Sequence, residues 1–136
     1  SYNQAITNLL NAFKLDFAQM TITPMFSEIE FSLGNLLAAI PTGIDSAAAG
    51  ALTVEWYNNA GGNPDRLQDQ LQLLYYDESQ KSPVFLENLG ERTDTTVTVN
   101  VPPYMSGKEV HVWIAFRSQD GIEVSISAYA GSVVIL

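Results

Sequence analysis

Carboxylate side chains are the most plentiful groups in this sequence that could carry out acid or base chemistry. Two of them facing each other across a cleft would form the pair that glycoside hydrolases use. No spacing selects a pair from the candidates, which are Glu28, Glu30, Glu55, Asp65, Asp69, Asp77, Glu78, Glu87, Glu91 and Asp94. We therefore predict that the chain is not an enzyme and rank a small hydrolase last, because few loops are long enough to build a cleft.

The sequence predicts neither a cofactor nor a metal site. It contains no cysteine, so thiolate ligands, cysteine nucleophiles and disulfides are excluded. His111 is the only histidine, which excludes a histidine metal pair and most histidine relays. On a central strand its expected role is structural. Residues 58–65 and Asp45 offer oxygen ligands without the regular acidic spacing of a calcium loop.

Aromatic side chains form the most promising candidate surface. Alternation along the strands places several of them away from the apolar core face, where they could stack on sugar rings or pack against another subunit. The candidates are Tyr57, Tyr75, Tyr76, Tyr104, Trp113 and Tyr129. In the alternative interpretation, which we rank first, the chain itself covers these rings with an N-terminal helix or with residues 36–50.

Residues 109–129 hold the pattern that organises the chain. Val110, Val112, Ile114 and Phe116 recur at every second position, and Asp120-Gly121 then interrupts the row. Val124, Ile126 and Ala128 resume the alternation, which predicts a β-hairpin with a tight turn. Because Trp113 and Ala115 make the first strand apolar on both faces, we place that strand in the middle of a sheet.

Several further segments also read as strands, and residues 51–57 and 95–101 among them alternate. Residues 51–57, with Trp56 as a core anchor, read as strands together with residues 71–76, 84–86, 95–101 and 132–136. Residues 36–50, rich in Ala, Gly, Pro and Ser, read as a crossing loop. About seven short strands with regular turns predict an all-β fold, an antiparallel immunoglobulin or fibronectin type III-like β-sandwich.

The N-terminal part has a different pattern. Ala5, Ile6, Leu9, Leu10 and Phe13 fall on one stripe of a short helix. Residues 15–31 alternate around Pro24, as expected of an edge strand or of two strands with a bend. We predict an N-terminal helix and extended segment over residues 1–27 and a sandwich domain over residues 28–136.

Charge and length limit the possible partners. The 136 residues include 15 acidic and 6 basic side chains, for a net charge of −9. This charge repels phosphate backbones, so nucleic acid is not expected as a partner. No apolar run is long enough to insert into a membrane. A chain that opens on Ser1 is expected to be a processed or trimmed product, and its location is not indicated beyond a preference for an extracellular or cell-surface assembly.

The order of these motifs resembles two families. The Trp56 strand, the paired tyrosines, Pro102-Pro103 and the C-terminal hairpin are similar to the fibronectin type III pattern. The chain more closely resembles an uncharacterised family of Bacteroidota proteins, domain of unknown function 6266. The matching residues are Tyr2-Asn3, Ala5, Leu10-Asn11-Ala12, Ser32, Gly34-Asn35-Leu36, Trp56, Gly107, Glu109-Val110-His111-Val112-Trp113, Phe116, Asp120-Gly121, Val124-Ser125, Ser127, Tyr129 and Gly131. The resemblance implies a fold but no activity, and members carry a further basic N-terminal segment that is missing here.

Two functions therefore remain ahead of the hydrolase. The first is a structural or interaction module, such as a self-assembling surface, filament or virion subunit. Its apolar extended segments, residues 15–26 and 133–136, could complete a neighbour's sheet by strand addition in a homo-oligomer. The alternative is a carbohydrate-binding module that stacks a glycan on the exposed aromatics.

Overall fold

A computed structural model describes residues 36–77, 79 and 83–136. The predicted N-terminal helix and the segment at residues 15–31 lie outside the described residues. The boundary between residues 1–27 and 28–136 stays a prediction.

The described residues form two antiparallel sheets. The strands are β1 (Ile40–Asp45), β2 (Ala51–Tyr57), β3 (Gln70–Tyr76), β4 (Val84–Leu86), β5 (Thr96–Asn100), β6 (Glu109–Arg117) and β7 (Ala128–Val134). One sheet has the order β1-β2-β5 and the other has the order β4-β3-β6-β7. The predicted all-β sandwich is confirmed, and with it the central position of β6.

The main core lies between the two sheets. On β2, Leu52, Val54 and Trp56 are buried at every second position, as the alternation predicts. Trp56 packs edge-on against Phe116 of β6, with ring centroids 6.0 Å apart, so β2 faces β6. Each such side chain contributes about 1.5–3 kcal/mol when it is withdrawn from water. Trp56 is the core anchor that the sequence predicts.

The structure of residues 36–50 differs from the predicted crossing loop. They do not form only a crossing loop, because β1 lies within them and pairs with β2. Pro41 and Gly43 flank a register shift in that pairing. A strand at the edge of a sheet tolerates proline, since the missing N–H is not needed by a second neighbour. The Pro and Gly that suggested a loop therefore mark an irregular edge strand.

The C-terminal residues correct a second prediction. The two strands expected around residues 124–128 and 132–136 are replaced by the single strand β7. Ser125 and Ser127 are buried, whereas Val124 and Ile126 are half-buried, so the expected alternation is inverted. The reason is local, because the Ser125 hydroxyl accepts a hydrogen bond from the Phe116 N–H at 2.9 Å. The serine hydroxyl thereby satisfies one backbone N–H of β6, which a valine side chain could not do.

The two long sides of the sandwich differ. On one side, β1 packs against β7. A side-chain carbon added at Gly131 of β7 would lie 3.2 Å from Ile44 of β1, so glycine permits this close approach. The other side is bordered by β5 of one sheet and β4 of the other.

Candidate functional site

The predicted aromatic residues do not share one exposed surface. Tyr75, Tyr76 and Trp113 are buried, so these three rings do not belong to an exposed strip. Tyr57 and Tyr104 are 61% and 59% exposed, but Tyr57 ends β2 and Tyr104 lies in the turn Pro103–Met105. Tyr129 is half-buried on β7. A continuous stacking platform for a sugar is therefore not formed by the part of the chain that the structure describes.

Three of these aromatics meet on the outward face of the four-stranded sheet. Trp113 and Tyr129 have ring centroids 5.4 Å apart, and Tyr76 belongs to the same apolar cluster. Trp113 is fully buried although it points away from the main core. This face therefore carries a second, smaller core. The interpretation in which an N-terminal helix or residues 36–50 cover the rings stays a prediction.

Tyr75 has a different environment. It points into the main core, where burial raises the pKa of its hydroxyl and the nearby Tyr104 raises it further. The paired tyrosines therefore point to opposite sides of β3, as the period of two in a strand requires.

A polar pocket opens at one end of the four-stranded sheet. Its volume is about 520 Å³, and it is lined by Asp77, Ser79, Lys108, Glu109 and His111. The Lys108 ammonium donates to the Ser79 hydroxyl at 2.9 Å, and that hydroxyl donates to Asp77 at 2.6 Å. The Lys108 amine also lies 3.8 Å from Asp77 Oδ2, so the three side chains form one polar cluster at the pocket.

His111 lies at the edge of this pocket. Its Nδ1 lies 3.0 Å from the Tyr129 hydroxyl, and its ring lies over that of Tyr129 at 6.2 Å between centroids. Burial is the main cause that raises the pKa of the Tyr129 hydroxyl. These contacts fit the structural role that a central strand predicts for this histidine.

Sequence reasoning missed a buried ion pair. The Arg92 guanidinium donates to Asp69 Oδ2 at 2.8 Å, and both side chains are fully buried. Arg92 also donates to Asn59 Oδ1 at 2.6 Å and to the Leu37 carbonyl at 2.8 Å, and it lies 4.0 Å from the Phe116 ring centre. Burial raises the pKa of Asp69, against the opposing effect of Arg92, and burial lowers the pKa of Arg92. No local pattern marks this pair, because 23 residues separate its members.

Other candidate carboxylates serve turns. Asp94 Oδ2 accepts from the Glu91 N–H at 2.8 Å, and Asp77 accepts from the Ser79 N–H at 3.0 Å. In the loop considered for calcium, Asn63 accepts from the Asp65 N–H at 3.0 Å. No group of three or more potential metal ligands occurs among the residues described.

Among the described strands, β5 pairs only with β2, and its other edge is the feature best suited to recognition. The backbone N–H of Trp56 donates to the Thr95 carbonyl, and the backbone N–H of Val101 donates to the Gly50 carbonyl, each at 2.9 Å. In the antiparallel register these bonds continue through Val99 and Val97, which face β2. The backbone N–H and C=O groups of the intervening residues, Thr96, Thr98 and Asn100, therefore point away from β2. They form a row of donors and acceptors that another strand can pair with.

The side chains of β5 suit such pairing. Thr96, Thr98 and Asn100 are exposed on the outer face, and β5 carries no charged residue. The hydroxyls of Thr98 and Thr53 lie 2.7 Å apart, which ties β5 to the central strand of its sheet. Val97 is half-buried and Val99 is buried on the inner face. The edge is therefore rigidly positioned and uncharged.

The two sheets, in the orders β1-β2-β5 and β4-β3-β6-β7, form a small antiparallel β-sandwich that is immunoglobulin-like and fibronectin type III-like in fold. The chain belongs to a family of unknown function (DUF6266), whose profile matches residues 1–131. Among solved structures, it is similar to the fibronectin type III domain of human contactin 1. The two share 7% identity, with 84% of this chain and 90% of that chain covered, at a TM-score of 0.42. No curated protein matches the chain. In the described residues, no helix has the length and apolar character to span a bilayer.

Proposed function

We propose that this protein is a non-enzymatic structural or interaction module that self-assembles by adding a strand to the edge of β5. The sandwich fold suits the role, because many cell-surface modules with binding or structural functions use it. The observation that carries the proposal is the outward-facing, uncharged backbone edge formed by Thr96, Thr98 and Asn100. The assembly would be a filament, a surface layer or a virion, with this chain as the repeating subunit.

The other edges of the sandwich are less suited to this role. β1 contains Pro41 and a register shift, and both features disrupt pairing along an edge. β7 contains Gly131 and packs against β1. β4 has only three residues, from Val84 to Leu86. β5 is therefore the edge strand best suited to pairing, because its five residues are regular and uncharged.

The C-terminal segment is not available as the added strand. Ile135 is buried, its N–H donates to the Lys108 carbonyl at 3.0 Å, and its carbonyl accepts from the Gly107 N–H at 2.7 Å. Leu136 accepts from the Gly50 N–H at 2.9 Å. Residues 133–136, expected to complete a neighbour's sheet, instead complete the sandwich of their own chain.

Light scattering coupled to size-exclusion chromatography tests the proposal. We expect the wild-type mass to rise with protein concentration and the variant Thr98→Pro to stay monomeric, because proline removes an outward N–H. Thr98→Val is the matched control, since it loses the hydroxyl contact with Thr53 but keeps that N–H. A wild-type protein that is monomeric up to millimolar concentration would overturn the proposal.

A further inference from the structure

We infer that the strand added at β5 is supplied by residues 18–23 of a second copy, which makes the assembly head-to-tail. This inference rests on the proposed function and names its partner segment. Three observations support it. The strand β4 extends beyond β5 and forms a step, called the ledge below. The ledge carries an apolar row, and residues 18–23 alternate between apolar and polar side chains.

The ledge follows from the unequal strand numbers of the two sheets. β1 packs against β7 and β2 faces β6, so β5 faces β3. The four-stranded sheet therefore extends one strand further, and among the described residues no strand lies opposite β4. One added strand beside β5 would make the two sheets equal in width.

The ledge presents apolar side chains to the vacant position. Val84 and Leu86 of β4 point toward the main core, whereas Phe85 packs in the second core on the other face. Val84, Leu86 and the neighbouring Leu89 are half-buried, as is Val97 on the edge strand itself. An incoming strand with apolar side chains on its inner face would remove these groups from water, at about 25 cal/mol per Å² of apolar surface buried.

Residues 18–23 have the pattern that this position requires. Ala18, Met20 and Ile22 alternate with the polar residues Gln19, Thr21 and Thr23. With the apolar row facing Val84 and Leu86, the polar row would continue the exposed Thr96, Thr98 and Asn100 row of β5. Threonine pairs across neighbouring strands stabilise a sheet by roughly 0.2–1 kcal/mol each.

Length and charge agree with this assignment. Five or six extended residues span about 17–20 Å, which matches an edge strand of the length of β5. The chain has a net charge of −9, so two copies repel each other. Residues 17–27 carry no charge, and this segment can therefore approach the β5 edge of another copy with little electrostatic repulsion. Pro24 directly follows residues 18–23 and would end the added strand.

The ledge also argues against a two-fold dimer of two β5 strands. In such a dimer the protruding β4 of each copy would occupy the space beneath the β5 of the other, where β3 already lies. A single extended segment avoids this collision, because it brings only one strand to the ledge. A head-to-tail contact of this kind generates an open chain of subunits.

Disulfide trapping in the full chain tests the inference, and the absence of native cysteine gives it a clean background. One chain carries Thr98→Cys, and a second chain, with a different tag, carries Gln19→Cys, Thr21→Cys or Thr23→Cys. We expect mild oxidation to link the two tagged chains at one or two of these odd positions, and at least tenfold less at the even positions in Met20→Cys or Ile22→Cys. A disulfide requires Cα atoms about 4.4–6.8 Å apart, so the register is read directly.

Thr53→Cys is the matched control, because it lies on the same face as Thr98 but on the central strand β2. Linkage of Thr98→Cys chains to one another would overturn the head-to-tail arrangement and leave self-assembly at β5 standing. Assembly without linkage to residues 19–23 would overturn the assigned segment alone. A rapid intramolecular disulfide in the monomeric double variant Thr98→Cys/Thr21→Cys would also overturn it, since the segment would then occupy its own edge. A monomeric wild-type chain would reject the proposed function itself.

Discussion

At the residue scale, the largest single effect is expected at Arg92. Its fully buried guanidinium is neutralised by Asp69 and hydrogen-bonded to Asn59 and to the Leu37 carbonyl. Removing one member of a buried pair leaves the other charge without its partner, which costs about 3–5 kcal/mol. We expect Arg92→Met to lower the free energy of unfolding by this amount in a urea titration.

The double variant Arg92→Met/Asp69→Leu separates charge from packing. Replacing both charges by apolar groups removes the desolvation penalty, so most of the lost stability should return. Glu87→Gln, on the exposed surface, controls for a change of net charge. If the double variant is less stable than Arg92→Met, then losing the remaining contact of Asp69 with Arg66, or a poor fit of the leucine, outweighs the relief of the unpaired charge.

Asp120 gives a second test at the residue scale. The Ser118 hydroxyl donates to its carboxylate at 2.5 Å and the Ile122 N–H donates at 3.0 Å, and these bonds lower the pKa of Asp120 below its ordinary value of 3.8. A lowered carboxyl pKa means that the turn is stabilised above the unfolded pKa and loses this stabilisation as the pH falls through the folded one. We expect Ser118→Ala to return the pKa of Asp120 toward 3.8 in a carboxyl NMR titration. An unchanged pKa would show that the backbone N–H groups and Arg66 lower it without the Ser118 hydroxyl, and Ser79→Ala at the opposite end of the sheet serves as the control.

At the element scale, the register of β5 makes a prediction that is independent of assembly. Val97 N–H faces β2, whereas Thr98 N–H points away from β2. Val97→Pro should therefore lose a ladder hydrogen bond and about 1–3 kcal/mol of stability, and Thr98→Pro should stay within roughly 1 kcal/mol of wild type. Thermal and urea unfolding of both monomers provide the measurement. If Thr98→Pro were instead the more destabilising of the two, the assigned register would be shifted by one residue.

The elements also show where sequence patterns succeed. Strict alternation predicts both ends of β2 and the start of β6 at Glu109. The three residues of β4 are also predicted, although they are too few to show a period. The patterns failed where a backbone irregularity carries the strand, at Pro41 in β1 and at Ser125 before β7. They also could not show that Trp113 is covered, because alternation assigns a side chain to a face of the sheet and says nothing of what packs on that face. The ion pair of Asp69 and Arg92 could not be predicted for a related reason, because it forms only where two loops distant in sequence come together in the fold.

At the scale of the whole molecule, the net charge opposes assembly, whereas the uncharged edge of β5 favours it. A charge of −9 repels every neighbouring copy, whereas β5 and residues 17–27 carry no charge. The repulsion is screened by salt, with a Debye length of about 30 Å at 0.01 M and about 3 Å at 1 M ionic strength. The hydrogen bonds and apolar contacts of an added strand depend far less on salt. Assembly should therefore strengthen as ionic strength rises.

We expect sedimentation velocity in sodium chloride to show a growing assembled fraction between these limits, with Thr98→Pro monomeric throughout. Chloride is the appropriate anion, because sulfate strengthens apolar association in general and would confound the comparison. Assembly that weakens with salt would mean that opposite charges on the two copies meet at the contact. The uncharged edge of β5 could not supply such a contact. That result would therefore place the interface at a surface of the sandwich that carries acidic and basic side chains.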